Sequence, residues 1–365
     1  MKRFFLIPLA ILWIVVLVFG GCAEPAPSPA PTPAPAPTPA PAPEKPIELK
    51  LSTLMPPMTW FVKDLYTPWA KEMEERSNGR VKITIFPAES LGKVQDHYQI
   101  VLSRQADIAS VDLGVTPGVF PLSSGIALPL IFNSTEAACC TWWELTEKYL
   151  MDTEFGKVKV LWHYSIAPSQ FSMAKKPIHT LEDFSGMKMA TSEESIIEAL
   201  KKLGATPVHL AITEMYTALE RGVVDGTLMP WEAVVAFKAM EVTKCRTSVD
   251  LSTVVTTVMM NLDAWNSLPP DIQQIFEETT GFESSRAFGI EFDALEKDNL
   301  ANVIIPYDQE KGNPGVYYLP EDEKARWHEA VTPLYEERIA ENEAKGLPAR
   351  AFFEDLLKIA ARYNE

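Results

Sequence analysis

The chain has 365 residues, 47% of them apolar, enough for about two domains of ~150 residues with a sizeable core, which excludes global disorder. It carries 33 Lys plus Arg against 49 Asp plus Glu, a net charge of −16, and loss of Lys2 and Arg3 with a leader would give 31 − 49 = −18. So acidic a chain does not suit a nucleic-acid partner, because affinity for phosphate backbones rests on clustered Lys and Arg.

The first segment places Met1-Lys2-Arg3 before an apolar run of 16 residues, Phe4 to Phe19, and then Gly20-Gly21-Cys22. A positive start, an apolar stretch and a small-residue site read as an export signal. The run is short of the ~20 residues of a spanning helix, and Cys22 after two glycines resembles a bacterial lipidation site, although Phe19 stands where such sites usually carry Leu. The alternative is an uncleaved anchor. Residues 23–46 hold 11 prolines, a composition that favours extended polyproline II and no core. At ~3.1 Å per residue this spacer could reach roughly 75 Å from a membrane.

From residue 47 the chain reads as strands and helices in alternation. Ile47 to Thr53 is a strand, Val62, Leu65, Trp69 and Met73 recur at helical spacing, and Val81 to Ile85 alternates apolar and polar. A helix over about Val94 to Ser103 and a strand over Asp107 to Val111 complete a βαβαβ order, which predicts an α/β sheet. A helix over Glu194 to Leu203 is stopped by Gly204, a strand begins at Ala205, and Thr213 is placed to cap the next helix, Glu214 to Arg221. Val223-Val224-Asp225-Gly226 reads as a short buried strand with a turn that Asp225 fixes. Asp271 to Asn299 is mostly helical, interrupted at Gly281 and Gly289, and long enough to span two lobes; two further helices cover about 322–345 and 350–363.

Familiar catalytic signatures are missing: there is no Gly-x-Gly-x-x-Gly, phosphate loop, His-Glu-x-x-His or Gly-x-Ser-x-Gly, and the five histidines are scattered singly. No enzyme activity, cofactor or metal is expected. With Cys22 lipidated, three cysteines remain; buried free thiols are one reading, and a bridge from Cys139 or Cys140 to Cys245 is the other.

The segment from Pro177 to Pro230 carries Leu181-Glu182-Asp183-Phe184-x-Gly186-x-Lys188, Leu203-Gly204-Ala205-Thr206-Pro207, Glu214-Met215-Tyr216 and Gly222-Val223-Val224-Asp225-Gly226 in that order. It closely resembles the solute-binding subunits of TRAP transporters of the dicarboxylate-binding type. Gly79-Arg80-Val81, Leu128-Pro129-Leu130-Ile131-Phe132 and Trp265-x-x-Leu268-Pro269 extend the likeness over about 47–345. The resemblance implies a two-lobed α/β receptor of the periplasmic-binding-protein (Venus-flytrap) type with a long lobe-spanning helix. Its lobes would comprise about 47–166 with 254–285, and about 167–253 with 286–365. Such a receptor closes on a small solute and hands it to membrane permease subunits driven by an ion gradient, outside the cytoplasm and here tied to the membrane through Cys22. A receptor feeding a sensor kinase is the alternative.

In that family an arginine four residues after the Gly of Leu-x-Gly-x-Lys clamps the solute carboxylate; here Ala190 stands there. A second arginine commonly lies near Ser169 or Gln170, and an asparagine stands where this chain has Met229. With these anchors replaced, Trp60, Ser169, Gln170, Phe171, Ala190, Met229 and Trp231 are the expected ligand-binding residues, and an aromatic or aliphatic monoacid is favoured over a dicarboxylate. Arg104, Arg221 or Arg246 reaching into the cleft would defeat that reading.

Overall fold

The computed structural model describes residues 45–364 except Pro117 and 124–127, so the leader, Cys22 and the spacer up to residue 44 lie outside the described residues. The chain first lays down β1 (Ile47–Ser52), β2 (Val81–Phe86), β3 (Ile108–Asp112) and β4 (Val158–Ser165). It crosses at 166–169 into a second lobe with β5 (Gln170–Met173), β6 (Lys188–Thr191), β7 (Thr206–His209), β8 (Gly226–Met229) and β9 (Cys245–Ser248). It returns through 249–254 to β10 (Val255–Asn261), and later gives β11 (Val316–Tyr318) to the second sheet.

The first sheet runs β2-β1-β3-β10-β4 and the second β11-β9-β5-β8-β6-β7. β1 pairs in parallel with β2 and β3, as the βαβαβ order predicts, whereas β10 arrives from the other lobe and lies antiparallel between β3 and β4. Helices cover both faces, so strand neighbours face opposite cores: Val258 and Met260 pack with Leu49 and Leu51, while Met259 packs with Ala109 and Trp142. The second lobe repeats the device, with Met189 and Leu228 on one face and Ala190 and Met229 on the other.

The two crossing segments are paired with each other. Ile166 N–H donates to the Val254 carbonyl at 3.0 Å, Ser169 N–H to Ser252 at 2.8 Å and Leu251 N–H to Ser169 at 3.0 Å. A further link is helical: after Pro270–Thr279 the chain turns at Gly281, whose φ of 96° suits glycine, and runs as one helical stretch over 282–311. Gly289 does not interrupt it. A Cβ there would sit 2.5 Å from Glu136 Cα, so this glycine lets the helix Thr135–Leu145 approach closely.

Several expectations are corrected. The buried strand near 223 begins at Gly226 instead; Gly222 turns the chain at φ 67°, Val223 is exposed, and Asp225 holds the turn before the strand by accepting the Lys188 N–H at 2.9 Å. The helix after β7 starts at Ile212, with Thr213 inside it. The placement of 286–365 in the second lobe does not describe the end of the chain. Trp327 and Val331 of the helix Glu321–Glu343 pack in the second lobe's core, but Tyr335 and Ile339 of the same helix, and Phe352 and Leu356 of the helix Ala349–Tyr363, pack with Trp142 and Phe155 in the first. Cys139, Cys140 and Cys245 are free and buried. Among the described residues, no helix is long and apolar enough to cross a membrane.

Candidate functional site

In open α/β sheets the carboxyl ends of the strands leave loops free to form a crevice. Here four such ends converge: Leu54 and Met55 beyond β1, Asp112 to Val115 at the end of β3, Ser192, Glu193 and Ser195 beyond β6, and His209 at the end of β7 line one cavity of about 370 Å³. Ile166 and Thr253 to Thr256 of the crossing segments and the start of β10 form its floor, so both lobes and the hinge contribute. The walls are mostly apolar, and among the described lining residues there is neither Lys nor Arg.

Two carboxyl groups face this space. Asp112 Oδ1 accepts the Gly114 N–H at 2.9 Å, and burial raises its pKa to about 6 against that bond. Glu193 sits against the hinge: the Ser252 hydroxyl donates to one of its oxygens at 3.0 Å and the Ser169 hydroxyl to the other at 3.3 Å. Burial still dominates, and with the negative charge of Asp112 opposite it pushes Glu193 up to about 7.

The sequence-predicted residues fall into separate places. Ser169 borders the cavity only through its bond to Glu193. Ala190, Met229 and Trp231 do come together, but in a core cluster with Met215 and Val234, where Ala190 has no exposed surface. Phe171, on the opposite sheet face, packs at a tilt against the rings of Phe184 and Trp327 in the core. Trp60 packs edge-on against Phe288 and Phe292 of the long helix. Gln170 is consumed at the hinge: its Oε1 accepts the N–H groups of Val249 at 2.7 Å and Asp250 at 3.1 Å, and its Nε2 donates to Pro168 O and Asp250 Oδ1. With Trp231 it lines a second cavity of about 420 Å³ behind these bonds, shared with Asp250, Glu296 and Lys324.

None of the three arginines named from the sequence lines the cavity between the lobes. Arg104 pairs with Asp107 at 3.1 Å, Arg221 lines a pocket made by the second lobe alone, and Arg246 is buried against Asp308 at 3.3 Å. Asp112 and Glu193, which do face the cavity, lie outside the family's motif positions. The available signal was their position just at or past the end of an apolar strand.

Two lobes on paired crossing segments, with a cavity at the strand ends, define a bilobal solute-binding receptor. The model of the family "bacterial extracellular solute-binding protein, family 7" matches residues 51–342, and the chain belongs to that family. It is 27% identical over 296 residues to the C4-dicarboxylate-binding periplasmic protein DctP of Rhodobacter capsulatus, covering 80% of this chain and 86% of that one. Among solved structures, a TRAP periplasmic solute-binding protein from Desulfovibrio salexigens is 28% identical with a TM-score of 0.79, over 87% of this chain and 96% of that one. A marine-metagenome TRAP solute-binding protein specific for aromatic acid ligands, solved with 3-hydroxybenzoate, is 26% identical with a TM-score of 0.78, over 88% of this chain and all 100% of that one. The family is one of receptors, and it works outside the cytoplasm.

Proposed function

We propose that this chain captures a small organic monoacid with an apolar body, aromatic or aliphatic, in the cavity between its lobes and delivers it to TRAP permease subunits. The observation that carries the reading is the lining: Leu113, Val115, Ile166, Val254 and Val255 offer apolar contact, and no described Lys or Arg is there to clamp a second carboxylate. A relative 26% identical that is specific for aromatic acid ligands supports the same class of solute. Cys22 would carry a lipid, and the proline-rich segment after it would hold the receptor away from the membrane surface.

Thermal unfolding of the purified protein against C4-dicarboxylates, aromatic and aliphatic monoacids, amines and neutral analogues tests this. A solute at 100 times its Kd adds ~2.7 kcal/mol, a rise of several degrees. Stabilisation by aromatic or aliphatic monoacids supports the proposal; stabilisation by dicarboxylates alone, or by no organic solute in the panel, sinks it.

A further inference from the structure

The cavity between the lobes poses an electrostatic problem for any acid that enters it. A carboxylate brought out of water needs a cation or several hydrogen-bond donors. Of the charged and titratable groups facing Glu193, Asp112 comes from the end of β3 and His209 from the end of β7. The crossing segments add only the hydroxyls of Ser169 and Ser252. His209 is spent in part on the Ser192 carbonyl, 3.3 Å from its Nε2. Thr253, 3% exposed and lining the same cavity, has a hydroxyl with no hydrogen-bond partner among the described residues. It is a donor left for a ligand, but not a charge.

We propose that Glu193 is the solute-anchoring residue and holds the carboxylate of a bound monoacid through one shared proton, so that each anion enters the cavity together with a proton from solvent. The inference rests on the reading of the solute as a monoacid. The balance is simple: solute anion, ionised Glu193 and one solvent proton give a carboxyl–carboxylate pair, and the proton returns to solvent when the lobes open. Ser169 and Ser252 each give one hydrogen bond to a Glu193 oxygen, which orients the carboxyl group and leaves acceptor sites free on both oxygens. Asp112 contributes the repulsion that makes the proton necessary. Burial raises both groups toward neutral pH, so the proton is available in the range where a receptor outside the cytoplasm works.

Calorimetric titration of the purified protein with benzoate, benzamide and benzylamine between pH 6 and pH 8.5, in buffers of different ionisation enthalpy, tests the proposal. Benzoate should bind with a proton uptake that rises toward one on the alkaline side of the Glu193 titration, where its affinity should fall about tenfold per pH unit. Glu193→Gln, whose amide donates without needing a proton, should bind benzoate with an affinity that no longer changes with pH. Asp112→Asn should strengthen benzoate binding several-fold at pH 8, which keeps the proposal testable if Glu193→Gln fails to fold. Benzoate affinity that is flat with pH and free of proton uptake overturns the anchor while leaving the receptor reading intact. So does an unchanged pH dependence in Glu193→Gln, which would place the solute elsewhere. Benzylamine that binds more tightly as pH rises, with no benzoate binding, overturns both.

Discussion

Asp293 and Glu296, one turn apart on the lobe-spanning helix, each cap a helix in a different lobe. Asp293 accepts the N–H groups of Thr135 at 2.7 Å and Glu136 at 3.0 Å, at the start of the helix Thr135–Leu145 in the first lobe. Glu296 accepts those of Trp231 and Glu232, both at 2.7 Å, at the start of the helix Trp231–Ala236 in the second. Free N–H groups at a helix start carry a partial positive charge that a carboxylate complements, so one helix grips both lobes by the same chemistry. Any closing motion has to pivot about this helix or break one grip.

Glu296→Ala would leave two N–H groups without their acceptor and should cost about 1–3 kcal/mol for the buried Trp231 N–H and less for the part-buried Glu232 N–H. The pH dependence separates this grip from ordinary packing. Burial raises Glu296 from 4.5 to about 7, so the folded chain keeps a proton there that the unfolded chain releases. The stability linked to this proton is present in full below about pH 4.5 and is lost as pH rises through about 7. Melting temperature measured from pH 5 to 8 should therefore decline less in Glu296→Gln than in the unaltered protein. Parallel curves would show that Glu296 does not titrate in this range.

Gly289 gives a second test of the same helix. An added methyl would meet Glu136 Cα at 2.5 Å and its backbone nitrogen at 2.8 Å, and backbone cannot move aside as a side chain can. Gly289→Ala gains up to ~1 kcal/mol of helix propensity but forces the two helices apart, at a cost of about 1–3 kcal/mol. A lower melting temperature is expected. A variant as stable as its parent would mean that the close approach contributes nothing.

The same glycine marks where sequence reading stops. Gly281 and Gly289 look alike in one dimension, yet one turns the chain at a φ of 96° and the other is a packing contact: both lie near the helix Thr135–Leu145, but a Cβ at Gly281 would only touch the Trp143 ring at 3.8 Å, whereas one at Gly289 would meet Glu136 Cα at 2.5 Å. Strand and helix order was legible, since alternation and helical spacing are local properties. The contents of the cleft were not. Matching positions to the family's motifs led to Ala190 and Met229, but with the arginine gone those positions lie in the packed face of the second sheet. The groups that face the cavity lie where strands from two sheets end together, a relation that no single stretch of sequence encodes.

Arg246 offers a test of what the remaining buried arginine does. It donates to Thr243 Oγ1 at 2.6 Å and to Asp308 Oδ1 at 3.3 Å, inside the second lobe and away from the cavity. Arg246→Met alone should destabilise by about 3–5 kcal/mol because it strands the Asp308 charge, whereas Arg246→Met with Asp308→Leu should recover most of that loss. Denaturant unfolding of the single and double variants reads this directly. Equal destabilisation in both would show that the ion pair itself, rather than the stranded charge, is what the lobe needs.

Gln170 separates a hinge splint from a solute contact. Its side-chain oxygen holds the N–H groups of Val249 and Asp250 on the returning segment, and its amide nitrogen holds Pro168 O on the outgoing one, so a single residue ties the two crossings together. Gln170→Ala leaves the buried Val249 N–H and the part-buried Asp250 N–H unpaired, a loss of about 1–3 kcal/mol for the first and less for the second. If Gln170 acts as a splint, the variant should melt at a lower temperature and exchange the amide hydrogens of Val249 and Asp250 faster, while solute affinity measured well below the melting point changes little. A Gln170→Ala protein with its stability intact and its solute affinity lost would instead assign this side chain to the bound solute, as the family motif suggests.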